Sequence, residues 1–221
     1  MRFGVPRDPF AADGRTEVFE MIKAWLATSV AFAILLGWGN GSQLSPVQAL
    51  IIAPLTAGIG FVLHELGHRV VARHYGAQAR FWSNDGWLVI SIVCAFAGFL
   101  IAAPGAVWHS GFLTKKQSGL VAAAGPIVNM VLAVLFLIGS LLMYRFGSTR
   151  SGFGFFLAVA LQAGFQINSW LAFFNMLPFG PIDGAKILNW STPVFAVMLT
   201  IGVALAFGYD RIESNVLRWI S

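Results

Sequence analysis

Charge is what this chain has least of. Only 10% of its 221 residues are Asp, Glu, Lys or Arg, where a soluble domain carries about 25%. Hydrophobic residues make up 57%. No water-soluble core of this length absorbs so much apolar surface, so a polytopic membrane protein is expected. Cysteine is nearly absent as well. Cys94 stands alone, which excludes an intrachain disulfide and a cysteine-rich zinc site. Acidic residues number nine against fourteen basic ones, a formal net charge of +5. In a soluble protein that balance would point to nucleic acid; here the cytosolic flanks of membrane helices account for it, and no nucleic-acid partner is expected. There is no internal repeat, low-complexity tract or appended soluble module, so one membrane-embedded domain over 1–221 is expected. The first twenty residues lack the short apolar core and small-residue cleavage site of a removed signal peptide, so the first apolar segment should remain as a span.

Five segments are long enough to cross a bilayer: about 21–38, 47–71, 119–144, 153–176 and 193–209, each near the roughly 20 residues required. A sixth, 88–103, has sixteen residues and ends at the helix-breaking Pro104-Gly105. Before it, Asn84-Asp85-Gly86 sits between aromatic residues and reads as a hairpin turn. The fold class expected is all-α: five spanning helices, a short re-entrant or sixth membrane segment, and small β-hairpin elements at the membrane face.

Within an apolar run lies His64-Glu65-Leu66-Gly67-His68. Ionisable residues at such depth are costly unless they are used. On a helix His64 and His68 stand at i and i+4, so both imidazoles project from one face and can share a zinc ion. Glu65 is turned by about 100°, close enough to act on a zinc-bound water without ligating the metal. A structural polar cluster would not need this spacing.

The second constellation is Asn175-Met176-Leu177-Pro178-Phe179-Gly180-Pro181-Ile182-Asp183-Gly184. Its prolines and glycines unwind the backbone at the end of a span, which is tolerated at membrane depth only inside protein or beside a wet cavity. Asp183 would complete a His₂Asp set whose fourth position is left for water, the catalytic pattern. Taken alone, Asp183 reads better as a helix cap or a partner of Lys186; beside the His64/His68 pair, the ligand role is favoured.

If His64, His68 and Asp183 share one metal, the ends of their spans lie on one side, and segment 88–103 makes no net crossing. Charge agrees. The inner face then holds Arg2, Arg7, Arg15, Lys23, Arg69, Arg73, Arg80, Lys115, Lys116 and Lys186, the outer face Arg145, Arg150, Arg211 and Arg218. Ten against four is the bias of the positive-inside rule.

Together, His64-Glu65-Leu66-Gly67-His68 and Asn175-x-x-Pro178-x-x-Pro181-x-Asp183-Gly184 resemble the site-2 protease family of intramembrane zinc metalloproteases (peptidase family M50). Gly125-Pro126-Ile127-Val128-Asn129 looks like its Gly-Pro-x-x-Asn signature. The motifs span a core of about 47–190 in the family's order. The resemblance implies hydrolysis of a peptide bond in transmembrane substrate proteins, with one zinc held by His64, His68 and Asp183, Glu65 as general base, and Asn175 stabilising the oxyanion or holding the substrate strand. It also implies a multi-pass protein of a prokaryotic cell membrane, its site toward the cytosol, acting in regulated intramembrane proteolysis. Many relatives add a PDZ or CBS module, for which there is no room here. Gly180 stands where the family often has proline, and 88–103 is longer than the expected membrane hairpin. Asn129, Gln166 and Asn168 read as hydrogen bonds between helices.

Two rival readings remain. A catalytically silent zinc-binding scaffold would keep the three ligands but need no Glu65. A cation transporter would spread charge along several spans or show paired broken helices from a repeat; here the charges converge at one depth.

Overall fold

Apolar runs and well-formed caps divide the chain into helices. The computed structural model describes residues 10, 14–38, 44–99, 105–147 and 152–208. Helix α1 covers Gly14–Gly37. Helix α2 (Pro46–Ala53) opens on a capping box: the Ser45 hydroxyl accepts from the Gln48 N–H, and Gln48 accepts from the Ser45 N–H at 2.9 Å. A π turn (Pro54–Gly58) follows without a break, and α3 (Ile59–His74) completes a continuous 29-residue rod, Pro46–His74. Trp25 of α1 donates to the Pro54 carbonyl at 3.3 Å, tying the two rods at the π turn.

Strand β1 (Gln78–Ser83) leads into α4 (Asp85–Phe96), then β2 (Gly105–Ser110) and the 32-residue α5 (Lys115–Phe146). Helix α5 starts at a second capping box, Thr114 with Gln117. After it come α6 (Gly152–Phe174), α7 (Asp183–Trp190) and α8 (Thr192–Phe207). Helix α5 packs against α3, α6 and α7; α1 packs against α2, α4 and β1.

Among the described residues four helices are long and apolar enough to cross a membrane: Gly14–Gly37, Pro46–His74, Lys115–Phe146 and Gly152–Phe174. Their outer faces expose Leu50, Leu55, Leu135 and Leu142, as lipid-facing helices do. The fifth span expected at 193–209 is the sixteen-residue α8, about 24 Å of helix; position 209 lies outside the described residues. Segment 88–103 contributes a helix of twelve residues, about 18 Å long, and 100–104 lie outside the description.

The hairpin expected at Asn84-Asp85-Gly86 is corrected. Asn84 is the N-cap of α4, its Oδ1 accepting from the Trp87 N–H at 3.1 Å. Asx residues serve turns and caps by the same side-chain acceptor, and the cap prevails here. The strand pair forms across α4 instead: β1 and β2 are antiparallel, from Gln78 opposite Ser110 to Ser83 opposite Gly105. The chain therefore leaves for α4 and returns at adjacent points. Phe81, wholly buried, packs edge-on to Phe61 and with Val107 anchors this ribbon over Ala24, Leu88 and Val121. A second cluster, with Ala122, Met130, Met176, Ile187 and Phe195, seats α7 between α5 and α8.

Candidate metal centre

Helix α3 presents His64 and His68 one turn apart and buried, and Asp183 is the first residue of α7, also buried. The two Nε2 atoms are 3.0 Å apart. Asp183 Oδ2 lies 3.3 Å from His64 Nε2 and 3.0 Å from His68 Nε2. The expected residues are brought to one point, the group of three potential metal ligands found among the described residues.

The opposite ring nitrogens decide what these atoms can do. His64 Nδ1 donates to Asn129 Oδ1 at 2.6 Å, and His68 Nδ1 donates to the Val121 carbonyl at 2.7 Å. Those bonds fix both tautomers and aim the Nε2 lone pairs inward, an orienting arrangement typical of metal-binding histidines. Three acceptors so close together repel one another unless a cation sits between them. Tetrahedral zinc with bonds of about 2.0–2.1 Å needs ligand separations of about 3.3 Å, and the observed triangle fits. Asp183 suits a cation as well. Its Oδ2 is buried and faces both Nε2 atoms, and a bound cation is what balances a carboxylate there. Lys186 Nζ stands 3.7 Å from its other oxygen, so pairing with Lys186 and a ligand role coexist.

Gly125 shows why the third motif needs glycine. A Cβ there would lie 2.5 Å from the Nε2 atoms of both His64 and His68, crowding the two nitrogens that would hold a metal. The next residue, Pro126, cannot donate to the Ala122 carbonyl. Asn129, one turn on, donates through Nδ2 to the Gly60 carbonyl at 3.2 Å and to Asn168 Oδ1 at 3.0 Å; Asn168 donates in turn to the Gly164 carbonyl. Both amides bridge helices as expected, and Asn129 also orients a ligand. Gly180, the departure from the family pattern, has φ of +62°, a conformation closed to proline with its φ near about −65°.

Glu65 is buried beside His64, and its Oε2 has no hydrogen-bond partner among the described residues. The Val107 backbone of β2 hydrogen-bonds its carboxylate, a contact no local pattern in the sequence signals. Asn175 ends α6: its Nδ2 donates to the Leu171 carbonyl at 2.9 Å, while its own carbonyl accepts from the Gly184 N–H at 2.8 Å. Its backbone thus fastens the start of α7, and hence Asp183, to the end of α6.

Comparison with known proteins finds relatives named as zinc metalloproteases. The chain is 37% identical over 171 residues to MJ0611 of Methanocaldococcus jannaschii, provisionally named a zinc metalloprotease, covering 76% of this chain and 83% of that one. It belongs to that zinc metalloprotease family. YwhC of Bacillus subtilis, likewise provisionally named, is 29% identical over 160 residues, 67% of this chain and 72% of its own. Zinc metalloprotease MJ0392 of M. jannaschii is 27% identical over 131 residues, which is 31% of its length. No family model matches the chain, and no solved structure does. Zinc is the family's cofactor, and the His64, His68 and Asp183 site suits it.

Proposed function

We propose that this chain is an intramembrane endopeptidase of the site-2 protease type, hydrolysing a peptide bond of transmembrane proteins in regulated intramembrane proteolysis. One observation carries the reading: a buried, unpartnered carboxylate oxygen on Glu65 stands beside a three-ligand zinc site within four membrane-length helices. A scaffold needs the ligands but not that oxygen.

His64, His68 and Asp183 hold the metal. Zinc, when bound, supplies a Lewis acid that lowers the pKa of a water to about 7 and polarises a carbonyl. Glu65 takes the proton at Oε2 and returns it to the leaving amine. Asn175 is the neutral donor assigned to the developing oxyanion; its Nδ2 must turn from the Leu171 carbonyl to serve. A substrate helix must first unwind, because its carbonyls are occupied in its own hydrogen bonds. Apart from the Val107 backbone, which bonds Glu65, the outer edge of β2 is the place assigned to an extended substrate chain.

The site faces the cytosol of a prokaryotic cell in this reading, and α4 is re-entrant. The pairing of Ser83 with Gly105 supports the second point, since a segment that starts and ends at paired residues makes no net crossing.

The test is cleavage of a lysine-flanked polyleucine transmembrane peptide with a central Gly-Pro break, in lipid nanodiscs. Wild type should cut it. Glu65→Gln should keep its zinc and lose activity by orders of magnitude. Equal turnover by both would remove Glu65 from the chemistry.

A further inference from the structure

Two buried glutamates face each other across the β1–β2 ribbon. On the outer edge of β1, the Phe81 N–H donates to Glu17 Oε1 at 3.1 Å. On the outer edge of β2, the Val107 backbone hydrogen-bonds Glu65. Phe81 and Val107 are opposite each other in the register. They form a non-hydrogen-bonded pair, whose backbone polar groups point away from the partner strand. Glu17, β1, β2 and Glu65 therefore lie in one line, α1 at one end and α3 at the other.

Glu17 also closes this line into a triangle. Its Oε2 accepts from Arg69 Nη2 at 3.1 Å, on α3 one residue beyond His68. One turn along α1, buried Glu20 accepts from the Ser83 hydroxyl at the end of β1. Glu20 also pairs with Lys23 at 2.9 Å, and Lys23 reaches Asp85 in the first turn of α4 at 2.6 Å. Buried carboxylates are costly, and breaking their partnerships leaves uncompensated charge. Both hold the ribbon: one satisfies an edge amide, the other its last side chain. A two-stranded ribbon is marginal by itself, so whatever holds its outer edge governs where its inner edge sits.

We propose that Glu17 is a positioning residue that fixes the β2 edge against Glu65, with Glu20 as the second anchor of the same strand. The inference rests on the proteolytic reading and adds to it a control of cleavage position. An extended substrate aligned on β2 advances about 3.3 Å per residue. A ribbon free to slide on α1 by that distance would present a neighbouring peptide bond to Glu65.

The experiment uses the full-length zinc-loaded protein in nanodiscs and the same Gly-Pro polyleucine peptide. Glu17→Leu removes both the strand acceptor and the Arg69 partner; Glu17→Gln keeps an acceptor for the Phe81 amide. Product masses, kcat and KM are measured, together with zinc content and hydrogen exchange of 78–83 and 105–110. Glu17→Leu should retain zinc, spread cleavage over neighbouring bonds, lose about tenfold in kcat/KM and exchange both strands faster. Glu17→Gln should restore the single cleavage position. Four results would overturn the proposal: one wild-type position with wild-type kcat/KM in Glu17→Leu, unchanged exchange in both strands, loss of zinc together with the strands, or Glu17→Gln behaving as Glu17→Leu. Failure of wild type to cut the peptide counts against the proteolytic reading alone, since strand exchange still decides whether Glu17 anchors the ribbon.

Discussion

Asn129 and His64 are 65 positions apart and share a 2.6 Å hydrogen bond that orients a metal ligand. The amide cannot easily rotate away, because its nitrogen is held by the Gly60 carbonyl and by Asn168. Partners of this kind are worth about 10–100-fold in metal affinity. Asn129→Leu should weaken zinc binding by that factor, read by competition with a chelating dye, while Asn168→Leu should weaken it less. Wild-type affinity in Asn129→Leu would show that His64 needs no external orientation.

Gly125 leaves no room for a side chain beside the two ligand nitrogens. Gly125→Ala adds a single methyl carbon, but that carbon falls 2.5 Å from two ligand nitrogens. The expected outcome is a folded protein with zinc content near zero, checked by elemental analysis and size-exclusion chromatography. Stoichiometric zinc in this variant would mean that α5 stands further from α3 than described.

Asp183 supplies the one formal negative charge of the ligand set. Asp183→Ala should lose zinc or bind it far more weakly. A metal that binds only the folded state stabilises it by about 2.7 kcal/mol at roughly one hundred times its dissociation constant. Chelation should therefore lower the Tm of wild type and leave that of Asp183→Ala unmoved. A variant that still responds to the chelator retains a metal site without Asp183.

The metal ligands are legible in the sequence because each depends on local pattern. His64 and His68 are set by helical spacing, and Asp183 stands where Pro178, Gly180 and Pro181 must end a span. What surrounds them is not legible. The Asn84-Asp85-Gly86 stretch satisfies a turn and a helix cap equally well, and only the pairing of Ser83 with distant Gly105 decides between them. Glu17 and Glu20 carry no motif, yet both are buried against β1. The π turn at Pro54–Gly58 is continuous with helices on either side; Pro54 marks an irregularity there but not its form. Backbone groups such as the Val107 amide and the Val121 carbonyl carry no residue identity at all.

The topology of the 84–104 excursion ties these features together. Ser83 and Gly105 are register partners, and the intervening α4 spans about 18 Å, well short of the roughly 30 Å hydrocarbon core. In the re-entrant topology proposed above, the segment returns to the side from which it left. Arg73, near the end of α3, and Lys116, in the first turn of α5, should then face the same compartment, the cytosol. Single cysteines at each position, in a Cys94→Ser background, can be treated with an impermeant thiol reagent in sealed cells and in inside-out vesicles. Both should react only in the inverted vesicles. Labelling from opposite faces would require α4 and its flanks to cross the bilayer, which would pull the ribbon apart and separate His64 and His68 from Asp183.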